Sequence, residues 1–93
     1  MLNADEELEV GLGSVGKLRI MRVLARRKEE AYTKYALERA TGLKPVDIRS
    51  DLKSLTLMKW VKEYPYRPKK YKINMDNPTV AYLIDFFIKA RYV

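Results

Sequence analysis

The chain has 93 residues, 47% of them apolar, and a net charge of +7, which suits one small hydrophobic core and is too apolar for a disordered chain. It contains no cysteine, histidine or glutamine, which excludes disulfides, thiolate or imidazole metal sites and histidine-based catalysis. The charge is uneven: Asp5, Glu6, Glu7 and Glu9 stand without a cation in residues 1–13, whereas residues 44–72 hold nine cations against Asp47, Asp51 and Glu63.

Clustered positive charge of this kind points to a polyanion partner. The wealth of lysine, arginine, glutamate and tyrosine leans towards a thermophile-like composition. Residues 1–13 are acidic and interrupted by Gly11 and Gly13, with Leu8, Val10 and Leu12 alternating. They are expected to form a mobile tail or a short arm docked on the body. Nothing there resembles a signal peptide. The most apolar run, Val80 to Ile88, is broken by Asp85 and is shorter than the ~20 residues a membrane helix needs. The expected setting is cytoplasmic, without membrane contact.

Ser14 is placed to cap a helix over about Val15 to Lys28, in which Val15, Leu18, Met21 and Leu24 form one apolar stripe. Glu29 to Tyr32 connects it, with a short strand at its end, to a second helix. That helix is capped by Thr33, spans about Lys34 to Thr41, and is expected to bury Tyr35 or Ala36, Leu37 and Ala40. Gly42 can end it in a left-handed conformation, and Pro45 suits the first position of a third helix running to about Met58. Ile48, Leu52 and Leu55 line one side of that helix, while Lys44, Val46, Asp47, Arg49, Ser50 and Lys53 occupy the others.

Beyond it the period changes from 3.6 to 2. Trp60 to Tyr64 and Lys70 to Asn74 read as strands, joined by the two-proline segment Pro65-Tyr66-Arg67-Pro68-Lys69 into a hairpin with a rigid basic tip. Asn77-Pro78 starts a last helix to about Arg91. The order helix, helix, sharp turn, helix, basic hairpin, helix predicts a mainly α fold with a small β-hairpin: a winged helix-turn-helix with an extra C-terminal helix. The expected division is an acidic arm over 1–13, the winged domain over 14–76 and a C-terminal dimerisation helix over 77–93.

Two stretches carry a family resemblance. Residues 13–24, GSVGKLRIMRVL, and residues 41–61, TGLKPVDIRSDLKSLTLMKWV, resemble the first helix and the reading helix of ArsR-like prokaryotic transcriptional regulators. The resemblance covers roughly residues 13–74 and implies DNA binding. The metal-sensing branch uses cysteine or histidine clusters that are missing here, so no metal or other cofactor is expected. Lys59 stands where the family usually has glycine, so the exit turn differs or Lys59 takes a left-handed backbone.

A sequence-specific regulator of double-stranded DNA is therefore expected. Lys44, Val46, Asp47, Arg49, Ser50 and Lys53 would read base edges, with Arg49 suited to guanine and Val46 to a thymine methyl group. Asp47 and Asp51 either accept from cytosine, orient Arg49 or Lys53, or complement the helix dipole and pair at i,i+4. Thr33, Lys34, Lys62, Tyr66, Arg67, Lys69, Lys70 and Lys72 would meet phosphate or the minor groove, Tyr66 alternatively covering the hairpin's own apolar surface. Tyr82, Phe86, Phe87, Lys89 and Tyr92 are the expected homodimer contacts, unless the N-terminal arm covers that side through Leu8, Val10 and Leu12. Trp60 and Tyr71 belong to the core by this reading. Glu29/Glu30 and Asp47/Asp51 are the only conceivable acid–base or Mg²⁺ pairs and neither converges, so the chain is not read as an enzyme. The alternatives are an architectural DNA-binding protein with little sequence preference and a winged-helix module that binds protein or RNA.

Overall fold

A computed structural model describes residues 3–93, so the expected arm is seen from residue 3 onwards and its first two residues lie outside the described residues. The elements run α1 (Ala4–Gly11), α2 (Val15–Arg26), β1 (Tyr32–Thr33), α3 (Lys34–Thr41), α4 (Pro45–Leu57), β2 (Val61–Tyr64), β3 (Lys70–Ile73) and α5 (Pro78–Lys89). The strands form one antiparallel sheet in the order β1-β3-β2. Val61 pairs with Ile73, Lys62 with Lys72, Glu63 with Tyr71 and Tyr64 with Lys70, while β1 places Tyr32 opposite Tyr71 and Thr33 opposite Lys70.

One core gathers a face from almost every element. Ile20, Met21 and Leu24 of α2, Leu37 of α3, and Ile48, Leu52 and Leu55 of α4 meet the inner sheet residues Val61, Tyr71 and Ile73. Val80, Ile84 and Phe87 of α5 join the same cluster, with Trp60 and Leu83 packed partly buried against it. The spacings of three and four among these positions are what a helix needs to present one apolar side.

The caps explain where the helices stop and start. Thr33 Oγ1 accepts from the Ala36 amide at 3.1 Å, and Asn77 Oδ1 accepts from Thr79 at 3.0 Å. The expected cap at Ser14 is not made, because its side chain accepts no hydrogen bond from the first turn of α2. Gly42 closes α3 at φ 74°. Lys59 closes α4 at φ 61°, a left-handed residue with a side chain. The amides of Lys59 and Trp60 return to Thr56 and Leu55, each at 3.0 Å, the paired bonds of a Schellman cap. The Lys59 carbonyl accepts in turn from Asn74 Nδ2 at 2.7 Å and Asn77 Nδ2 at 3.2 Å. Two asparagines from the far end of the hairpin thus hold the exit of α4.

Three expectations are corrected here. The acidic arm is docked on the body, as the second alternative expects, but as a helix, α1: Leu8 packs against the core and Glu9 and Asp5 pair with Arg19 and Arg22, while Val10 and Leu12 remain 60% and 57% exposed. On α3 only Leu37 is buried, since Tyr35 is 65% exposed and Ala40 also faces water. Phe87 and Tyr92, expected as dimer contacts, are 0% and 1% exposed and belong to the core. The reason is a second Schellman cap: Arg91 at φ 58° turns the chain back, and the Tyr92 amide donates to Phe87 O at 2.8 Å. The Tyr92 ring then meets Phe87 edge-on, 5.0 Å between centroids. Among the described residues no helix is long and apolar enough to cross a membrane.

Candidate nucleic-acid interface

Helix α4 buries Ile48, Leu52 and Leu55 and leaves Asp51, Ser54 and Thr56 half-buried. Lys44, Val46, Asp47, Arg49, Ser50 and Lys53 are all exposed, so the six expected base-reading residues share the solvent side of one helix. Asp51 does not join them. Its carboxylate turns inward over α2, where Lys17 Nζ lies 3.3 Å from Oδ1. A Cβ on Gly16 would collide with that carboxylate, so a side chain there would displace Asp51 from its place over α2. Asp51 therefore seats α4 on α2 and takes its partner from another helix rather than at i,i+4.

A groove of about 420 Å³ separates α4 from the inner face of the sheet, with Lys34, Arg49 and Lys53 on its rim and Glu63 and Tyr71 at its wall. The Tyr71 hydroxyl donates to Glu63 Oε1 at 2.9 Å. Burial and that bond push the Tyr71 hydroxyl up to about 12, so it stays protonated and keeps Glu63 occupied. A second groove lies between Thr33, Lys34 and Tyr35 at the start of α3 and Pro68 and Lys69 at the wing tip. The Arg67–Pro68 peptide is cis.

Ion pairing divides the cations. Lys17, Arg19, Arg22, Arg27, Lys62, Lys69, Lys72 and Lys89 each have a carboxylate within 4.0 Å. Eleven have none among the described residues: Lys34, Lys44, Arg49, Lys53 and Arg67 lie at the start of α3, on α4 or at the wing tip, and Arg26, Lys28, Arg39, Lys59, Lys70 and Arg91 lie elsewhere. The wing's other expected contacts split further. Lys62 and Lys72 sit opposite each other near the base of the hairpin, held by Asp76 at 2.7 Å and Glu29 at 3.6 Å. Lys70 lies with its Nζ 6.0 Å from the Tyr66 ring centroid, and Tyr66 stacks on Tyr64 at 5.8 Å. The carboxylates that the sequence left as conceivable acid–base or metal groups stand apart: Glu29 pairs with Lys72, Glu30 with Arg27 and Asp51 with Lys17. Among the described residues no group of three or more acidic side chains converges as a metal site.

Sequence reasoning missed the network at the other end of the molecule. Glu9 of α1 is 3% exposed. It accepts from Tyr92 Oη at 2.7 Å and from Arg19 Nε and Nη2 at 3.1 and 3.2 Å. Burial alone would raise its carboxyl, but the bonds from Arg19 and Tyr92 and the charges of Arg19 and Arg22 outweigh burial and hold it below the usual value. Arg22 lies over the Tyr92 ring at 4.5 Å and reaches Asp5 at 2.9 Å. The only signal in the sequence was an acidic turn of helix spaced to face the arginines of α2.

The C-terminal helix presents the exposed aromatics expected of it. Tyr82 is 78% and Phe86 44% exposed, and Lys89 pairs only with Asp85 of its own helix. Beside them Leu12, Met21, Met58, Trp60 and Leu83 line an apolar pocket of about 230 Å³.

No protein-family model matches the sequence, and no curated protein matches it either. Solved structures do. A MarR-family transcriptional regulator from Silicibacter pomeroyi superposes with a TM-score of 0.70 at 12% identity, over 94% of this chain and 65% of that one. MepR, a transcription regulator of the Staphylococcus aureus multidrug efflux pump MepA, gives 0.69 at 13% identity, over 96% and 67%. BpsR of Bordetella bronchiseptica, whose DNA binding is regulated by 6-hydroxynicotinic acid, gives 0.66 at 15% identity, over 85% and 55%. The chain thus spans between 55% and 67% of the length of these proteins. The narrower ArsR-like label rests on the sequence motifs alone. What the structure and these neighbours establish together is the fold: this chain is a winged helix-turn-helix.

Proposed function

We propose that the chain is a sequence-specific regulator of transcription that binds double-stranded DNA as a homodimer. The observation that supports this reading is that five of the cations without acidic partners among the described residues, Lys34, Lys44, Arg49, Lys53 and Arg67, gather at the start of α3, along α4 and at the wing tip. A protein keeps such charges unpaired at a cost in self-repulsion, and a phosphate backbone repays it. Helix α4 enters the major groove, Arg49 reads a guanine edge, and Val46 meets a thymine methyl group. Thr33, Lys34, Arg67 and Lys69 anchor phosphates on either side. Tyr82 and Phe86 of α5 pair with a symmetry mate and set two reading helices for half-sites about 34 Å apart.

The test is selection of binding sites from random duplex DNA with the full chain. An inverted repeat with half-sites spaced by about one helical turn is expected. Enrichment of no sequence would favour an architectural role, and failure to retain any duplex would remove the DNA reading.

A further inference from the structure

Apart from Thr33 at its edge, the outward face of the sheet has no part in the duplex contacts proposed above. The strand register puts Thr33, Lys70 and Tyr64 in one row across β1, β3 and β2, and Lys72 and Lys62 in the next. Tyr71, Val61 and Ile73 alternate with them and fill the core, so the lysines and Tyr64 share the opposite face. Tyr66 continues the row beyond β2, 55% exposed, its ring 11° from parallel with that of Tyr64. This face is therefore three lysines beside a two-ring aromatic stack.

Two features set it apart from an ordinary solvated sheet. Lys62 and Lys72 are direct cross-strand partners, a like-charge placement that destabilises a sheet. Their only counter-ions among the described residues are Asp76 and Glu29, whose side chains are 83% and 95% exposed. Pairs that open to water are worth little and exchange readily for another anion. Lys70 and Lys72, two residues apart on one strand, stand about 7 Å apart, a spacing that lets successive phosphates of an extended strand meet successive lysines.

We propose that this face is a second nucleic-acid surface that takes a single strand, its unpaired bases stacking on Tyr66 and Tyr64 and its phosphates held by Lys62, Lys70 and Lys72. A single strand fits where a duplex does not. Duplex bases have their faces already stacked, so exposed tyrosine rings gain nothing from them, whereas the bases of a single strand offer π-faces that stack on aromatic side chains without regard to sequence. The inference stands independently of the duplex reading, since it uses the opposite side of the wing from the groove behind α4.

The experiment is fluorescence anisotropy of labelled oligo-dT and oligo-U of roughly 12 nucleotides, within the usual site sizes, titrated with the full chain at about 50 mM salt. Binding is expected, and Tyr66→Ala should weaken it about fivefold or more while Tyr66→Phe restores it. The double variant Lys62→Ser/Lys72→Ser should weaken it comparably and make its salt dependence shallower, with its melting curve recorded to establish folding. Excess unlabelled duplex should leave the labelled strand bound. No binding of either oligonucleotide would overturn the proposal. Displacement by duplex, or loss of strand binding in Arg49→Ala with none in the sheet variants, would overturn it too, because the strand would then occupy the face of α4. If duplex binding itself fails, the two sheet variants still decide the outcome.

Discussion

Two regions of this molecule use arginine in opposite ways. Where α1 meets α2 and the C-terminus, Arg19 and Arg22 are engaged by Glu9, Asp5 and the Tyr92 ring, and the group they surround is almost wholly buried. On α4 and the wing tip, Arg49 and Arg67 project into solvent with no carboxylate partner among the described residues. The first arrangement ties chain segments 83 residues apart in sequence and serves stability. The second leaves charge uncompensated, as the proposed binding to DNA requires. Net charge alone hides this division, because the +7 of the chain is the sum of a neutralised end and an unneutralised one.

The contrast is strongest in stability. Glu9→Ala removes three hydrogen bonds to a charged group and leaves Tyr92 Oη buried without its acceptor, a loss of about 2–3 kcal/mol, with Arg19 rehydrating to limit it. Urea denaturation measures it, and duplex affinity of the folded variant should stay at the parent value. The acid response has a definite sign. The folded Glu9 carboxyl lies below its ordinary 4.5, so its contribution is fully present above that value and disappears as pH falls through the folded one. Melting temperature should therefore drop on acidification, and Glu9→Gln should drop less.

Arg49→Ala reverses the pattern. It should cost about 1–3 kcal/mol of affinity on the selected site and relax base preference at one position, while unfolding shifts by no more than about 0.5 kcal/mol. Replacing Arg67 and Lys69 by alanine should weaken all duplexes alike. Base preference altered by the wing pair and untouched by Arg49→Ala would exchange the two roles.

A smaller effect is expected on assembly. Phe86→Glu places a charge on exposed aromatic surface, so the variant should sediment as a 10.9 kDa monomer with stability within about 0.5 kcal/mol of the parent. A parent chain that is itself monomeric at tens of micromolar would remove the dimer from the account. Smallest of all, Lys59→Gly relieves a side chain at φ 61° and should stabilise the fold by about 0.5–1 kcal/mol. No gain on thermal unfolding would mean that the asparagine contacts to the Lys59 carbonyl already absorb the strain.

The helix-turn-helix and hairpin were legible in the residues because their signals are local. Pro45 after Gly42, the stripe Ile48-Leu52-Leu55, and the alternation on either side of Pro65 and Pro68 each report on neighbours in sequence. The missing glycine at Lys59 left two alternatives, a different exit turn or a left-handed backbone, and the second is the one found. The network of Glu9, Arg19 and Tyr92 was not legible, because it depends on where the chain returns. Nothing local distinguishes Glu9 from the exposed Glu6 and Glu7, and nothing before the fold is known places Tyr92 beneath Phe87. Asp51 failed for the same reason: its partner is Lys17, on another helix, and only the bare Gly16 backbone makes room for it.

The claim that the unpaired cations of α3, α4 and the wing tip face a phosphate backbone is tested most directly by the salt dependence of duplex binding. With four to eight phosphates contacted per bound unit, log K should fall against log[salt] with a slope of roughly −4 to −7, and Arg67→Ala/Lys69→Ala should make it shallower by about one to two. A slope near zero on every duplex tried would contradict the account.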